Sequence, residues 1–211
     1  MKTYLSLSGF DTTQILSLIV KYGIEKGDTI VLIRPEVEND ERAQRTIEAV
    51  QDLSKQIDSD ITVKIHRVNH LDFESMVLDL TDLIRSTEGK VIANISGGPR
   101  EIFLPFSIAC LMCSNEISIT TNFSDVDRTL REVQLPAIRC EIDEKLKMVL
   151  KDIIENGPTL VSEVAGRLNV SESTASRQIN KLVEIGAVEA KVDGKKKEVK
   201  GTLTGKLLVG D

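Results

Sequence analysis

The residues best suited to bind a ligand lie in one short stretch, residues 94–101, with the sequence Asn-Ile-Ser-Gly-Gly-Pro-Arg-Glu. An apolar run precedes it at residues 91–93, and an apolar helical pattern follows it at residues 102–112. The stretch therefore connects a strand to the start of a helix. A helix start offers free backbone N–H groups and the positive end of the helix dipole, which together attract phosphates and other anions.

Four residues of this stretch favour an anion site. Gly97 and Gly98 allow the backbone to approach a ligand closely, and Pro99 suits the first helical position, where its missing N–H costs nothing. Arg100 adds a permanent cation whose guanidinium can bind a phosphate in a fork. The alternative is a tight turn that binds nothing. A Gly-Gly pair alone would favour that turn, but the Pro and Arg that follow favour the anion site.

Strand and helix patterns alternate over the first two thirds of the chain. The strand patterns lie at residues 3–8, 29–33, 61–65, 91–93, 117–121 and 130–133, and helical patterns separate the first five of them. This alternation predicts an α/β fold, a Rossmann-like doubly wound and mainly parallel sheet with helices on both faces. Pro105 lies in the fourth helical pattern, and we expect that helix to begin a few residues after Pro99 for this reason.

A second loop follows the first strand. Gly9 and Phe10 form a turn there, and Asp11 or Thr12 caps the next helix. In the strand order 3-2-1-4 of doubly wound sheets, the order reverses between strands one and four, and ligands bind at that switch point. The loops at residues 9–12 and 96–100 would then face one pocket.

Two common nucleotide motifs are missing from the sequence. A dinucleotide-binding domain needs the pattern G-x-G-x-x-G after strand one and an acidic residue at the end of strand two. The first loop has a single glycine, Gly9, and the second strand ends at a base, Arg34. No G-x-x-x-x-G-K-[ST] phosphate loop occurs either. The two departures from the dinucleotide pattern argue against NAD.

The charges are unevenly distributed along the 211 residues. Residues 139–211 hold 13 Lys and Arg against 12 Asp and Glu, a net charge of +1, and residues 1–138 hold 14 against 21, a net charge of −7. This asymmetry predicts two domains with different partners, residues 1–138 and residues 139–211. No run reaches the ~18 apolar residues of a membrane span and no signal peptide is visible. We therefore expect a cytoplasmic protein without membrane contact.

The cysteines and histidines give little indication of a metal site or of catalysis. Cys110 and Cys113 share one face of the apolar helix, where core packing is favoured over a redox or metal role. His66 and His70 lack clustered carboxylates or thiols. We expect no metal and no cofactor.

A different pattern begins at residue 139. Three short helical patterns follow, and Thr159 and Ser171 are predicted to cap the second and third helices. Ala175, Ile179 and Leu182, with Ile185, form the apolar stripe of the third. Two strand patterns at residues 188–192 and 197–201 then surround Asp-Gly, a dipeptide favoured in hairpins. The order predicts a winged helix-turn-helix domain.

The exposed face of the third helix has the composition of a DNA-reading surface. In a helix-turn-helix the second helix of the pair enters the major groove, and hydroxyls, amides and bases suit base edges and phosphates. The alternative is a solvated surface, but helix-turn-helix spacing followed by a basic wing favours DNA. The predicted DNA-binding residues are Ser173, Thr174, Ser176, Arg177, Asn180, Lys181, Lys195, Lys196 and Lys197.

The combination of a Rossmann-like domain carrying Ser-Gly-Gly-Pro-Arg after strand four with a C-terminal winged helix resembles the archaeal CRISPR-associated regulators of the Csa type, which are CARF-domain proteins. The resemblance implies a homodimeric transcription regulator of CRISPR loci. Its CARF domains would bind a cyclic oligoadenylate across the dimer axis, with cyclic tetra-adenylate as the first candidate. Its winged helices would bind double-stranded promoter DNA. The ligand-binding residues implied by position are Gly9, Phe10, Asp11, Thr12, Ser96, Gly97, Gly98, Pro99 and Arg100.

Two other functions stay open at this point. The protein could be a ring nuclease, a phosphodiesterase that cleaves cyclic oligoadenylate, but Asp11 is the only acid in the two loops and capping is its expected role. We therefore expect a sensor and not an enzyme. The winged helix could instead bind another protein subunit, in which case DNA binding would be absent or insensitive to salt.

Overall fold

The structure, a computed structural model, describes residues 1–9, 11–37, 41–135, 142–193 and 196–209, with the side chains of Asp193 and Lys196 not described. The chain divides into two compact units, Met1–Ile138 and Arg139–Asp211. No helix among the described residues is both long and apolar enough to cross a membrane.

The first unit is a six-stranded sheet with helices on both faces. Its strand order is β3-β2-β1-β4-β5-β6, in which only the pairing of β5 with β6 is antiparallel. The predicted α/β class and the order 3-2-1-4 are therefore confirmed. Its elements are β1 (Lys2–Leu7), α1 (Thr13–Tyr22), β2 (Thr29–Pro35), α2 (Glu41–Ile57), β3 (Thr62–Val68), α3 (Phe73–Arg85), β4 (Lys90–Asn94), α4 (Arg100–Met112), β5 (Ile117–Phe123) and β6 (Leu130–Glu132).

Two apolar layers form the core of this unit, one on each side of the sheet. Along β1, Tyr4 joins the layer with α1 and α2, whereas Leu5 and Leu7 join the layer with α3 and α4. Burial on both faces explains why these strands have nearly continuous apolar sequences. Cys110 and Cys113 are free thiols in the second layer, and burial raises the pKa of Cys113 to about 11. They pack in the core, as the sequence predicts.

Two predicted boundaries of the first unit are wrong. β2 does not stop at Arg34 but continues through Arg34 and Pro35, because both residues pair with β3. α4 begins at Arg100 with Pro99 as its N-cap, so Pro99 is not the first helical residue and Pro105 does not delay the start. The N–H that Pro105 lacks would have reached the carbonyl of Glu101, an exposed residue, where water can replace it.

The second unit has the order of elements predicted for a winged helix. Its three-stranded antiparallel sheet has the order β7-β9-β8, and its core includes Leu150, Ile153, Ile179 and Leu182. Ser171 is the N-cap of α7, as predicted, and its side chain accepts a bond from the N–H of Thr174. The elements are α5 (Glu144–Asn156), β7 (Thr159–Leu160), α6 (Val161–Arg167), α7 (Glu172–Glu184), β8 (Val188–Asp193), β9 (Lys196–Gly201) and α8 (Leu203–Val209).

Two details of this unit differ from prediction. Thr159 does not cap α6 but pairs with Val199 in the small sheet, and its hydroxyl donates to Oε2 of Glu163 at 2.7 Å. Ile185 is not part of the buried stripe of α7, because it follows the last helical residue and is 41% exposed.

Candidate functional site

The two predicted loops meet at the carboxyl ends of β1 and β4. A Cβ added to Gly9 would lie 3.5 Å from the backbone nitrogen of Gly98. Between the loops lies a cavity of about 380 Å³, at the switch point where the strand order reverses. The residues that line it are Ser8, Gly9, Asp11, Gln14, Arg34, Gly98 and Pro99.

Arg34 forms part of the cavity wall from the end of β2. The residue is 1% exposed, and its Nη1 atom donates to Oγ of Ser8 at 3.0 Å and to the carbonyl oxygen of Gly9 at 3.1 Å. These bonds hold the first loop against the neighbouring strand. A guanidinium stays protonated in proteins, so Arg34 brings a permanent positive charge to the cavity.

A buried hydrogen-bond network around Asn94 joins the second loop to the strands and the helix beside it. Its Nδ2 atom donates to Oγ of Ser6 at 3.2 Å and to Oε1 of Gln14 at 3.1 Å. The hydroxyl of Ser96 donates to Oδ1 of Asn94 at 2.6 Å and accepts a bond from the N–H of Phe123 at 2.9 Å. The amide side chain of Asn94 thus positions β1, α1, β5 and the second loop relative to one another.

The two glycines of the second loop are required by backbone conformation and by packing. Gly97 and Gly98 both have φ of +70°, and a Cβ on Gly98 would lie 2.6 Å from Cβ of Leu7. A Cβ on Gly97 would overlap the side chain of Gln14. Substitution of either glycine therefore disturbs the fold as well as any ligand.

The two helix starts differ in their capping. Thr12 is the N-cap residue of α1, and its side chain makes no capping bond. Asp11, one residue before it, accepts bonds at Oδ1 from the backbone N–H of Thr13 at 2.8 Å and from its hydroxyl at 2.5 Å. These bonds hold the pKa of the Asp11 carboxyl below its ordinary value. At α4 the N-cap Pro99 provides no side-chain bond. The N–H of Ile102 donates to the carbonyl oxygen of Pro99, so the N–H groups that the first turn offers to an anion are those of Arg100 and Glu101.

In the second unit, α7 buries one face and exposes the other. Ala175, Ile179 and Leu182 are buried, which confirms these three members of the predicted stripe. Ser176 on the opposite face is half-buried, and the other predicted contact residues of the helix are exposed: Ser173, Thr174, Arg177, Asn180 and Lys181.

The wing contacts this exposed face. Lys197 Nζ donates to Oδ1 of Asn180 at 2.5 Å, so Lys197 lies against α7. Lys195 and the side chain of Lys196 fall outside the described residues. A groove lies beside the contact between Lys197 and Asn180. Hydroxyls, apolar groups, one carboxylate and the Lys197 side chain line it: Leu160, Val161, Ser162, Glu172, Ser173, Ser176 and Lys197.

Residues 2–132, more than half of the chain, match the family model described as the Csa3 CRISPR-associated Rossmann-like domain. The chain belongs to this family. Following its Csa3-type domain, residues 142–189 match the model described as winged helix-turn-helix DNA-binding. The resemblance noted in the sequence is therefore confirmed for both domains.

Three solved structures are similar to this Csa3-type chain. The transcriptional regulator SlyA is 26% identical over 31% of this chain and 49% of that chain, with a TM-score of 0.30. Protein VC1899 from Vibrio cholerae is 10% identical over 98% of this chain and 65% of that chain, with a TM-score of 0.46. Can2 from Sulfobacillus thermosulfidooxidans in complex with cyclic tetra-adenylate is 10% identical over 100% of this chain and 64% of that chain, with a TM-score of 0.46.

The chain thus spans about half to two thirds of the length of these three proteins. No curated protein matches it.

The Csa3-type domain brings only part of the predicted ligand set to the cavity. Gly9, Asp11, Gly98 and Pro99 line it. Ser96 is 5% exposed and bonded within the Asn94 network, and Gly97 packs against Gln14. Thr12 and Arg100 do not line the cavity, and Phe10 lies outside the described residues.

Three cavity residues are missing from the predicted ligand set: Ser8, Gln14 and Arg34. Position is the signal that could have found them. Ser8 and Gln14 flank the first loop in sequence, and Arg34 follows an apolar run that pairs with β1 in the predicted sheet.

Proposed function

We propose that this CRISPR-associated regulator binds a cyclic oligoadenylate, with cyclic tetra-adenylate as the first candidate, in the cavity between its two loops. The observation that carries the proposal is the cavity itself, which combines Arg34, Gly98 and the uncapped start of α4 at the switch point of the sheet. Backbone N–H groups and a guanidinium are the groups that bind phosphates. The Csa3-type family membership supports a nucleotide ligand of this kind.

The second part of the proposal is that the winged helix binds promoter DNA. The match of residues 142–189 to a DNA-binding winged helix supports this. The exposed hydroxyl, amide and basic side chains of α7 support it as well.

We also propose a homodimer, because a dimer reads two half-sites that lie one helical turn apart. Light scattering of the purified protein tests this, and a monomer at the concentrations used for DNA binding would contradict it.

We propose ligand binding without ligand cleavage. Asp11 is the carboxylate among the described lining residues, and it is engaged by Thr13, with its pKa lowered. A carboxylate with a lowered pKa is a weak general base at neutral pH. Chromatography after incubation with cyclic tetra-adenylate is the check, and linear products from multiple turnovers would establish the ring-nuclease alternative instead.

A thermal shift panel tests the ligand class directly. Cyclic di-, tri-, tetra- and hexa-adenylate are each added to the full chain, with linear tetra-adenylate as the control. A ligand that binds only the native state stabilises it by ~2.7 kcal/mol at a hundredfold excess over Kd, and we expect cyclic tetra-adenylate to raise the melting temperature most. An unchanged melting temperature with all four rings would contradict the proposal.

A further inference from the structure

The turn between β5 and β6, residues 124–129, brings another arginine to the edge of the cavity. Arg128 lies on this turn, and its Nη2 atom is 3.6 Å from Oδ2 of Asp11, a residue that lines the cavity. The turn belongs to neither of the two loops that the sequence singles out. It is therefore an additional segment beside the proposed ligand.

The backbone of Arg128 adopts a conformation that favours glycine. Its φ is +57°, within a turn closed by bonds from its N–H to the carbonyl of Ser124 and from the N–H of Ser124 to the carbonyl of Thr129, both 2.9 Å. Glycine takes this conformation without steric cost, whereas other residues do not. The chain thus has a long cationic side chain at a position where the backbone conformation favours glycine. Such unfavourable conformations are common at functional sites.

The contacts that hold this guanidinium are weak. The side chains of Arg128 and Asp11 are 59% and 51% exposed, and ion pairs between exposed groups contribute little to stability. The guanidinium also lies 5.9 Å from the centroid of the Phe123 ring. These contacts keep the cation near the cavity without fixing it there.

Asp11 creates a requirement for such a cation. Its bonds to Thr13 lower its pKa, so it carries a negative charge at neutral pH in the cavity wall. A phosphate entering the cavity is repelled by that charge. Arg128 is the partner that faces Asp11 across this part of the wall.

We propose that Arg128 is a ligand-binding residue whose guanidinium, held beside Asp11, donates to a phosphate of the cyclic oligonucleotide. This inference rests on the proposed function, because it adds a contact to the same cavity. The phosphate adds a charge-assisted contact, which can be bidentate, to a guanidinium otherwise held by a weak exposed ion pair. Arg128 thereby adds affinity from a segment outside the two glycine-containing loops.

Calorimetry with cyclic tetra-adenylate and the full chain tests the inference. Arg128→Gln should lower the affinity about tenfold, the effect of losing one charge-assisted hydrogen bond. Arg131→Gln is the matched control, because Arg131 is 65% exposed on the same hairpin and pairs with Asp127 instead; we expect less than a twofold change. Equal affinities of wild type and Arg128→Gln would overturn the inference while leaving the proposed function intact. No binding by wild type would overturn both.

A double-mutant cycle separates contact with the ligand from neutralisation of Asp11. Asp11→Asn keeps an oxygen that can cap α1 and removes the negative charge. If Arg128 contacts phosphate, Arg128→Gln in the Asp11→Asn background still lowers affinity about tenfold. If the second substitution has no effect in that background, Arg128 only neutralises Asp11 and the inference is wrong. Arg128→Gly should lose affinity while keeping or raising the melting temperature, which excludes misfolding as the cause.

Discussion

The cavity and the exposed face of α7 use polar side chains in opposite ways. Around the cavity, Arg34, Asn94 and Ser96 are at most 5% exposed and hydrogen-bond to other segments of the sheet. On α7, Ser173 and Arg177 point to solvent. A ligand in the cavity would meet groups that are already held in place, whereas DNA would meet side chains that are exposed to solvent. The first site is preorganised and the second is adaptable.

Net charge follows the same division. Residues 1–138 carry −7 and residues 139–211 carry +1, so neither site has a strongly basic domain behind it. Under the proposed function, anion binding at both sites depends on single cations: Arg34 and Arg128 at the cavity, and Arg177, Lys181 and Lys197 at the winged helix.

The largest expected effect is a loss of folding stability when the hydrogen-bond network beside the cavity is broken. Asn94→Ala removes the acceptor of the buried Ser96 hydroxyl and the donor to Oγ of Ser6 and Oε1 of Gln14. A buried group left unpaired costs ~1–3 kcal/mol. We expect the free energy of unfolding, measured by urea denaturation, to fall by ~3 kcal/mol. Arg177→Ala on the exposed face should change it by less than ~0.5 kcal/mol. Similar losses in the two variants would remove the distinction between the sites.

The next effect concerns ligand affinity. Arg34→Lys keeps a positive charge but loses the planar fork that reaches Ser8 and Gly9, and we expect ~1.5–3 kcal/mol weaker binding of cyclic tetra-adenylate by calorimetry. Arg100→Ala is the comparison, since Arg100 is exposed and does not line the cavity. We expect a smaller loss there. The reverse order would place the ligand outside the cavity, against the exposed side chain of Arg100.

Substitutions on α7 and on the wing should have different effects on sequence specificity and on general DNA affinity. Arg177→Ala should cost ~1–3 kcal/mol on the cognate promoter and relax its sequence preference. Lys197→Ala should weaken all duplexes alike and flatten the salt dependence, as expected for a phosphate contact. Anisotropy titrations of cognate and scrambled duplexes at several salt concentrations measure both. An altered sequence preference in Lys197→Ala alone would reverse the two roles.

The sequence predicts the fold well because its signals are local. Alternating apolar runs give the parallel sheet, and Asp72, Asp143 and Ser171 each precede a helix whose first turn they cap. The wing and its preceding helices follow from spacing and from turn residues. None of these features needs information from distant parts of the chain.

The site was predicted only in part because its contacts are long-range. A basic residue after an apolar run is an ordinary strand end. The local sequence around Arg34 therefore does not indicate its bonds to Ser8 and Gly9. Ser96 has the type and position of a phosphate ligand, but the N–H of Phe123 uses its hydroxyl. Arg128 meets Asp11 only because β5 and β6 bring the turn beside the first loop.

A ligand-responsive regulator must change its affinity for DNA when the ligand binds, and we propose that the two sites are linked in this way. A single titration tests that link. Labelled promoter duplex is titrated with the protein at fixed salt, with and without saturating cyclic tetra-adenylate. Coupling between two sites is typically ~1–3 kcal/mol and reciprocal, so we expect the Kd for DNA to change about 5- to 150-fold, and the Kd for ligand to change by the same factor when DNA is bound. Superimposable DNA curves, with ligand binding shown by calorimetry on the same preparation, would contradict the claim.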